Sequence, residues 1–165
     1  MTKTIFLDRD GVINKETGFV FRVEDFILTG DIIPSLKKLQ DAGFILVVIT
    51  NQSGIAKELY THDDVKKVHT HMLSLMKENG ITISEIYYCP HHPDVEPCIC
   101  RKPDSGMIEK AIARFNIDIS KSFFIGDKER DIQAAEKAGV KGIMIDADSP
   151  VMGIVEEIIK SQSPS

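Results

Sequence analysis

The chain has 165 residues, 42% of them hydrophobic, and 25 acidic against 20 basic side chains give a formal net charge of −5. That composition describes one soluble globular domain with little room for a second core, and an acidic balance without a Lys/Arg run argues against nucleic acid as the partner. No stretch approaches the roughly 20 apolar residues that cross a bilayer, and Asp8 follows the start too closely for a signal peptide, so a cytoplasmic monomer is expected.

The first apolar run, residues 4–7, has strand length and is followed at once by Asp8-Arg9-Asp10-Gly11-Val12. Two carboxylates one residue apart at the carboxyl end of a buried strand need a counter-charge, and a divalent cation would supply it. A turn in which Asp10-Gly11 merely reverses the chain is the plainer alternative. Residues 31–42 carry Ile32, Ile33, Leu36 and Leu39 at helical spacing and stop at Gly43. A second strand, 44–49, leads into Thr50-Asn51-Gln52-Ser53-Gly54, whose hydroxyls and backbone N–H groups suit phosphate oxygens. Residues 61–79 open on a capping Thr61 with Asp64 three positions on, and Val65, Val68, Met72, Leu75 and Met76 share one face. His62, His69 and His71 belong on or beside that helix, in solvent or at a satisfied edge position, with no catalytic role.

A third strand is predicted over 85–88, a helix over 105–115, a strand over 122–125, a helix over 129–138 ending at Gly139, and a strand over 142–145. The fourth strand runs into Gly126-Asp127-Lys128-Glu129-Arg130-Asp131, again two carboxylates beyond a strand end. Helix-start electrostatics is the competing reading of Asp127 and Asp131. Alternating strands and helices imply an α/β fold: a doubly wound, Rossmann-like parallel sheet with helices on both faces. It occupies one domain over 1–160, and 161–165 are expected to fray.

Residues 89–103 break the rhythm, with four prolines, His91, His92, Cys89, Cys98 and Cys100. An odd number of cysteines so closely spaced is a poor disulfide framework. Three thiolates and one imidazole, from His91 or His92, match a closed tetrahedral zinc site. Such a zinc would be structural, stapling the loop that carries Arg101 and Lys102.

Asp8-x-Asp10-Gly11-Val12, the strand-terminal Thr50, Lys102 before Pro103, and Gly126-Asp127-x-x-x-Asp131 together resemble the four motifs of the haloacid dehalogenase (HAD) superfamily of phosphatases. Cys89-Pro90-His91 and Cys98-Ile99-Cys100-Arg101-Lys102-Pro103 are similar to its heptose bisphosphate phosphatase and histidinol-phosphatase branch. The resemblance implies a HAD fold without a cap domain and with a small zinc loop, held by Cys89, His91, Cys98 and Cys100. It makes Asp8 the nucleophile, Asp10 the acid and base, and Thr50 and Lys102 stabilisers of the transferring phosphoryl group. Mg²⁺ would be held by Asp8, the Asp10 backbone carbonyl and Asp127. Asn51, Gln52 and Ser53 would face the phosphate, and Arg101, Lys128 and the segment Glu16-Thr17-Gly18-Phe19 the rest of the substrate. Asp131 would orient Lys102 or a metal-bound water, or only cap a helix. The implied substrate is a small phosphorylated sugar, D-glycero-D-manno-heptose 1,7-bisphosphate losing its C7 phosphate. Histidinol phosphate or a broader set of phosphomonoesters is the enzymatic alternative, and a phospho-accepting receiver-like domain the non-enzymatic one.

Overall fold

Successive strand side chains point to opposite faces, and in this chain both faces are apolar. Ile5, Leu7, Leu46, Val48, Phe123 and Ile125 enter one core, while Phe6, Val47, Ile49 and Phe124 enter another. The computed structural model, which describes residues 1–162, accordingly has a sheet buried on both sides. Its strands are β1 (Thr4–Leu7), β2 (Ile45–Asn51), β3 (Ile83–Cys89), β4 (Phe123–Gly126) and β5 (Lys141–Met144). All neighbours pair in parallel, in the order β3-β2-β1-β4-β5. Helices α1 (Ile32–Asp41), α2 (His62–Glu78) and α5 (Met152–Ser161) cover the first face, and α3 (Gly106–Phe115) and α4 (Glu129–Lys137) the second.

The expected elements all form, with shifted ends: β2 runs on to Thr50 and Asn51, β3 starts at Ile83, and β5 spans Lys141–Met144. Helix α5 was not anticipated, although Val155 and Ile158 are buried at helical spacing. It is started from afar. The Asp31 carboxylate, read from sequence as the start of α1, makes no cap bond to its own helix and accepts from Val151 N and Met152 N, each at 3.0 Å. Ser161, expected in the tail, closes α5. Residues 163–165 of that tail lie outside the described residues.

Leu7 pairs with Val48 on one side and Ile125 on the other, which brings the carboxyl ends of β1, β2 and β4 together. Chain order reverses between β1 and β4, and open α/β sheets bind ligands at such a switch point. No domain is inserted between β1 and β2 or between β2 and β4; α1, α2, β3, α3 and the cysteine loop account for those stretches.

Candidate active site

Strand β1 delivers Asp8, 7% exposed, to the switch point. Its Oδ1 accepts from Lys102 Nζ and from Arg9 N, both at 2.9 Å. Lys102 comes from the cysteine loop and is itself buried. Its ammonium also donates to Ile49 O at 2.9 Å and forms an ion pair with Asp131 Oδ1 at 2.6 Å. Burial pulls the lysine pKa down, but Asp8 and Asp131 more than reverse this and hold it above its ordinary value. Burial pushes the Asp8 carboxyl well above the usual range, with Lys102 opposing. Asp131 touches Lys102 through one oxygen, and its Oδ2 accepts from Lys128 N at 3.1 Å at the start of α4.

Asp127 completes the cluster. Its side chain is buried, and neither carboxylate oxygen has a hydrogen-bond partner among the described residues. Ligand oxygens of Asp8, Asp127 and Asp131 lie within 4.8 Å of one another. A buried carboxylate left unpaired is costly, and convergent hard oxygens are the donor set that Mg²⁺ takes, so the residues fit that ion. The close packing explains Gly11: its φ is +87°, and a Cβ there would stand 2.2 Å from Asp127 Oδ2.

The Asp10 carboxylate turns elsewhere, leaving its backbone carbonyl as the only group the resemblance offers to a metal. Oδ1 accepts from Arg9 Nε at 3.1 Å, Arg9 Nη2 at 2.9 Å and Asn14 Nδ2 at 2.9 Å. Oδ2 accepts from Arg9 Nη2 and Gln52 Nε2, each at 3.2 Å. Gln52 also donates to Thr50 Oγ1 at 3.0 Å and accepts from Tyr60 at 2.7 Å, which ties Asp10, Thr50 and Tyr60 together through one side chain. Asn51 likewise clamps the Lys102 backbone, with Oδ1 accepting from Lys102 N at 3.0 Å and Nδ2 donating to Lys102 O at 3.2 Å. Arg9, which sequence reading passed over, is 0% exposed and reaches His69 Nε2 at 3.2 Å. Burial first, then Arg9, drives the His69 pKa down to about 3, so the neutral ring accepts from the guanidinium.

Above this floor opens a cleft of about 560 Å³. Glu16, Gly18, Phe19, Asn51, Gln52, Ser53, Arg101 and Lys128 line it as expected, whereas Thr17 is exposed and lies outside the lining. Lys57 and Arg130, not foreseen, join Arg101 and Lys128 in a cationic rim. Burial, then the charge of Arg130, lowers the Arg101 pKa.

The cysteine loop gathers Cys89, His91, Cys98 and Cys100, with all four ligand atoms within 4.8 Å. Cys89 and Cys100 are in S–S contact. His91 Nδ1 lies 3.2 Å from Cys100 Sγ and 3.4 Å from Cys89 Sγ, and Cys98 Sγ stands 3.6 Å from Cys89 Sγ. A cystine alone would not draw an imidazole and a third thiol to the same point, so the set fits zinc. His92 turns to Asp94 and the cleft instead.

The polynucleotide kinase 3 phosphatase family matches residues 3–148. A D-glycero-alpha-D-manno-heptose-1,7-bisphosphate 7-phosphatase of Photorhabdus laumondii is 44% identical over 144 residues, covering 84% of this chain and 79% of its own. The D-glycero-beta-D-manno-heptose-1,7-bisphosphate 7-phosphatase of Haemophilus ducreyi is 43% identical over 145 residues, 84% and 80% of the two chains. The chain belongs to this family of HAD-type phosphatases. The D,D-heptose 1,7-bisphosphate phosphatase of B. bronchiseptica, solved with magnesium and phosphate, superposes on it with a TM-score of 0.86 at 27% identity, covering 97% of this phosphatase and 99% of that one. Membership sets aside the receiver-like alternative.

Proposed function

We propose that this phosphatase hydrolyses D-glycero-D-manno-heptose 1,7-bisphosphate at its C7 phosphate, as a Mg²⁺-dependent, cytoplasmic monomer. An Asp8 carboxylate oxygen attacks phosphorus in line, the bond to the sugar oxygen breaks, and Asp10 gives that oxygen its proton. Asp10 then takes a proton from the water that splits the aspartyl-phosphate. Lys102, the Thr50 hydroxyl and the backbone amides of residues 51–53 offset negative charge on the equatorial oxygens. Asp8, the Asp10 carbonyl and Asp127 would hold Mg²⁺, which would supply positive charge to the phosphoryl oxygens. Cys89, His91, Cys98 and Cys100 would hold a structural zinc, which would steady the loop that carries Arg101 and Lys102 and supply no chemistry to the reaction.

The observation that carries this reading is the Asp8–Lys102 contact at 2.9 Å, on the floor of a cleft rimmed by Lys57, Arg101, Lys128 and Arg130. A substrate with a second phosphate suits four cations beyond the reacting centre. Their confinement to one cleft, in a chain of net charge −5, favours a small molecule over nucleic acid.

Phosphate release is compared for the heptose bisphosphate, histidinol phosphate and a 3′-phosphorylated oligonucleotide, with Mg²⁺ and with chelator. kcat/KM for the bisphosphate is expected to exceed the others by about 100-fold or more and to vanish in Asp8→Asn or without Mg²⁺. Equal turnover of either competitor refutes the substrate, and chelator-resistant turnover refutes the metal.

A further inference from the structure

Arg9 stands inside the reading of Asp10 as acid and base without a role of its own. Buried arginine is rare unless paired, and neighbouring residues seldom meet through their side chains; here the turn at residues 9–14 folds one back on the other. The guanidinium grips the Asp10 carboxylate through both oxygens: Nε donates to Oδ1 at 3.1 Å, and Nη2 to Oδ1 at 2.9 Å and to Oδ2 at 3.2 Å, a fork that fixes the carboxylate's plane as well as its distance. The arginine is fixed in turn from two other elements: Nη2 donates to Val20 O at 2.8 Å, and Nη1 meets His69 Nε2 of α2 at 3.2 Å. Asp10 keeps 17% of its side chain open, toward the cleft. The held carboxylate is therefore presented to substrate rather than withdrawn from it.

We propose that Arg9 is a positioning residue for the reaction: it fixes the Asp10 carboxyl where the departing sugar oxygen will stand, with His69 as the prop that holds Arg9. Without the fork the carboxylate keeps only single bonds from Asn14 and Gln52 and can shift toward another rotamer, and a displacement of about 1 Å in a reacting group costs on the order of 100-fold in rate. The inference rests on Asp10 being the acid that protonates the leaving oxygen. In that step the phosphorus–oxygen bond breaks toward the leaving group, its electron pair stays on oxygen, and the Asp10 proton joins it. A nitrophenolate leaves without that proton, so position matters for the sugar and little for the aryl ester.

The experiment measures kcat/KM, which reports the first phosphoryl transfer, for heptose bisphosphate and p-nitrophenyl phosphate on the same preparations. The ratio of the two does not depend on how much of a variant folds. Arg9→Met is expected to lower the sugar-phosphate value about 100-fold and the aryl value less than about threefold, and His69→Leu to shift the ratio in the same sense by about fivefold. Asp10→Asn is the control and is expected to show the same selectivity, about 1000-fold on the sugar phosphate. A selective Asp10→Asn beside a non-selective Arg9→Met, whether both substrates fall together or neither falls, overturns the proposal alone. An Asp10→Asn without selectivity overturns the role of Asp10 and this proposal with it, and an unchanged ratio in His69→Leu removes His69 as the prop.

Discussion

His69 should make the stability of this phosphatase sensitive to mild acid. Its folded-state pKa of about 3 stands against an ordinary 6.5, because the ring is buried and faces the Arg9 guanidinium, with the more distant Asp10 charge opposing. With the folded value below the unfolded one, the contribution is whole above pH 6.5 and is lost as pH falls toward 3. At pH 5 the unfolded chain has bound a proton that the folded chain refuses, which removes about 2 kcal/mol relative to pH 8. The test is urea denaturation of the wild type and of His69→Leu at pH 8 and pH 5, since subtracting one from the other cancels the carboxylates common to both. At pH 8 the variant is expected to be less stable by about 1 to 3 kcal/mol, the cost of stranding a buried Arg9 donor. At pH 5 that deficit should shrink by about 2 kcal/mol, because leucine has no proton to refuse. A deficit of equal size at both pH values would refute the claim that His69 is held neutral by its surroundings.

Lys102→Met removes the cation shared by Asp8 and Asp131, at 2.9 and 2.6 Å. It is expected to cost about 3 to 5 kcal/mol, seen as a melting point lower by about 10 °C, and to abolish phosphate release. Gly11→Ala forces a Cβ to within 2.2 Å of Asp127 Oδ2 at a φ of +87°. Stability should fall by about 1 to 3 kcal/mol, and titration calorimetry should find Mg²⁺ affinity reduced. Cys98→Ser should drop the zinc content, read by atomic absorption, from about one ion per chain. Sugar phosphatase activity should decline with it as the Lys102 loop loosens. Asp31→Ala removes the carboxylate that accepts from Val151 N and Met152 N, each at 3.0 Å. Thermal melting should register a loss of about 1 kcal/mol.

The fold was legible because its strands are buried on both faces, so Val47, Val48 and Ile49 appear as an unbroken apolar run instead of an alternation. The floor of the site was legible because acids directly beyond such runs have few places to go but the carboxyl edge of the sheet. What escaped depends on partners distant in sequence. Arg9 sits between two aspartates and reads as an ordinary surface charge; only His69, sixty positions away, and Val20 reveal that it is buried. Helix α5 begins on a carboxylate at Asp31, about 120 positions upstream, so its start carries no local signal. Lys57 lies in the turn beyond β2 and Arg130 in the first turn of α4, and nothing in the sequence near either says that its side chain reaches the cleft. Of the segment Glu16-Thr17-Gly18-Phe19, Glu16, Gly18 and Phe19 line the cleft and Thr17 does not.

The charges at the switch point divide into two systems that share a backbone and keep separate partners. Arg9 neutralises Asp10, and Lys102 is divided between Asp8 and Asp131. Among the described residues Asp127 has only Lys128 Nζ at 3.9 Å, from a side chain half in solvent. With all four carboxylates ionised, two buried cations leave two negative charges over, the amount a single divalent ion cancels, and the two oxygens of Asp127 mark where it would sit. Had Arg9 been an apolar residue, Asp10 would have competed for the same ion and for Lys102, and the acid would have been drawn from the cleft into the metal cluster. The arginine between the two aspartates therefore keeps their carboxylates apart: Asp8 is held by Lys102 beside Asp127 and Asp131, and Asp10 by Arg9, at the lining of the cleft.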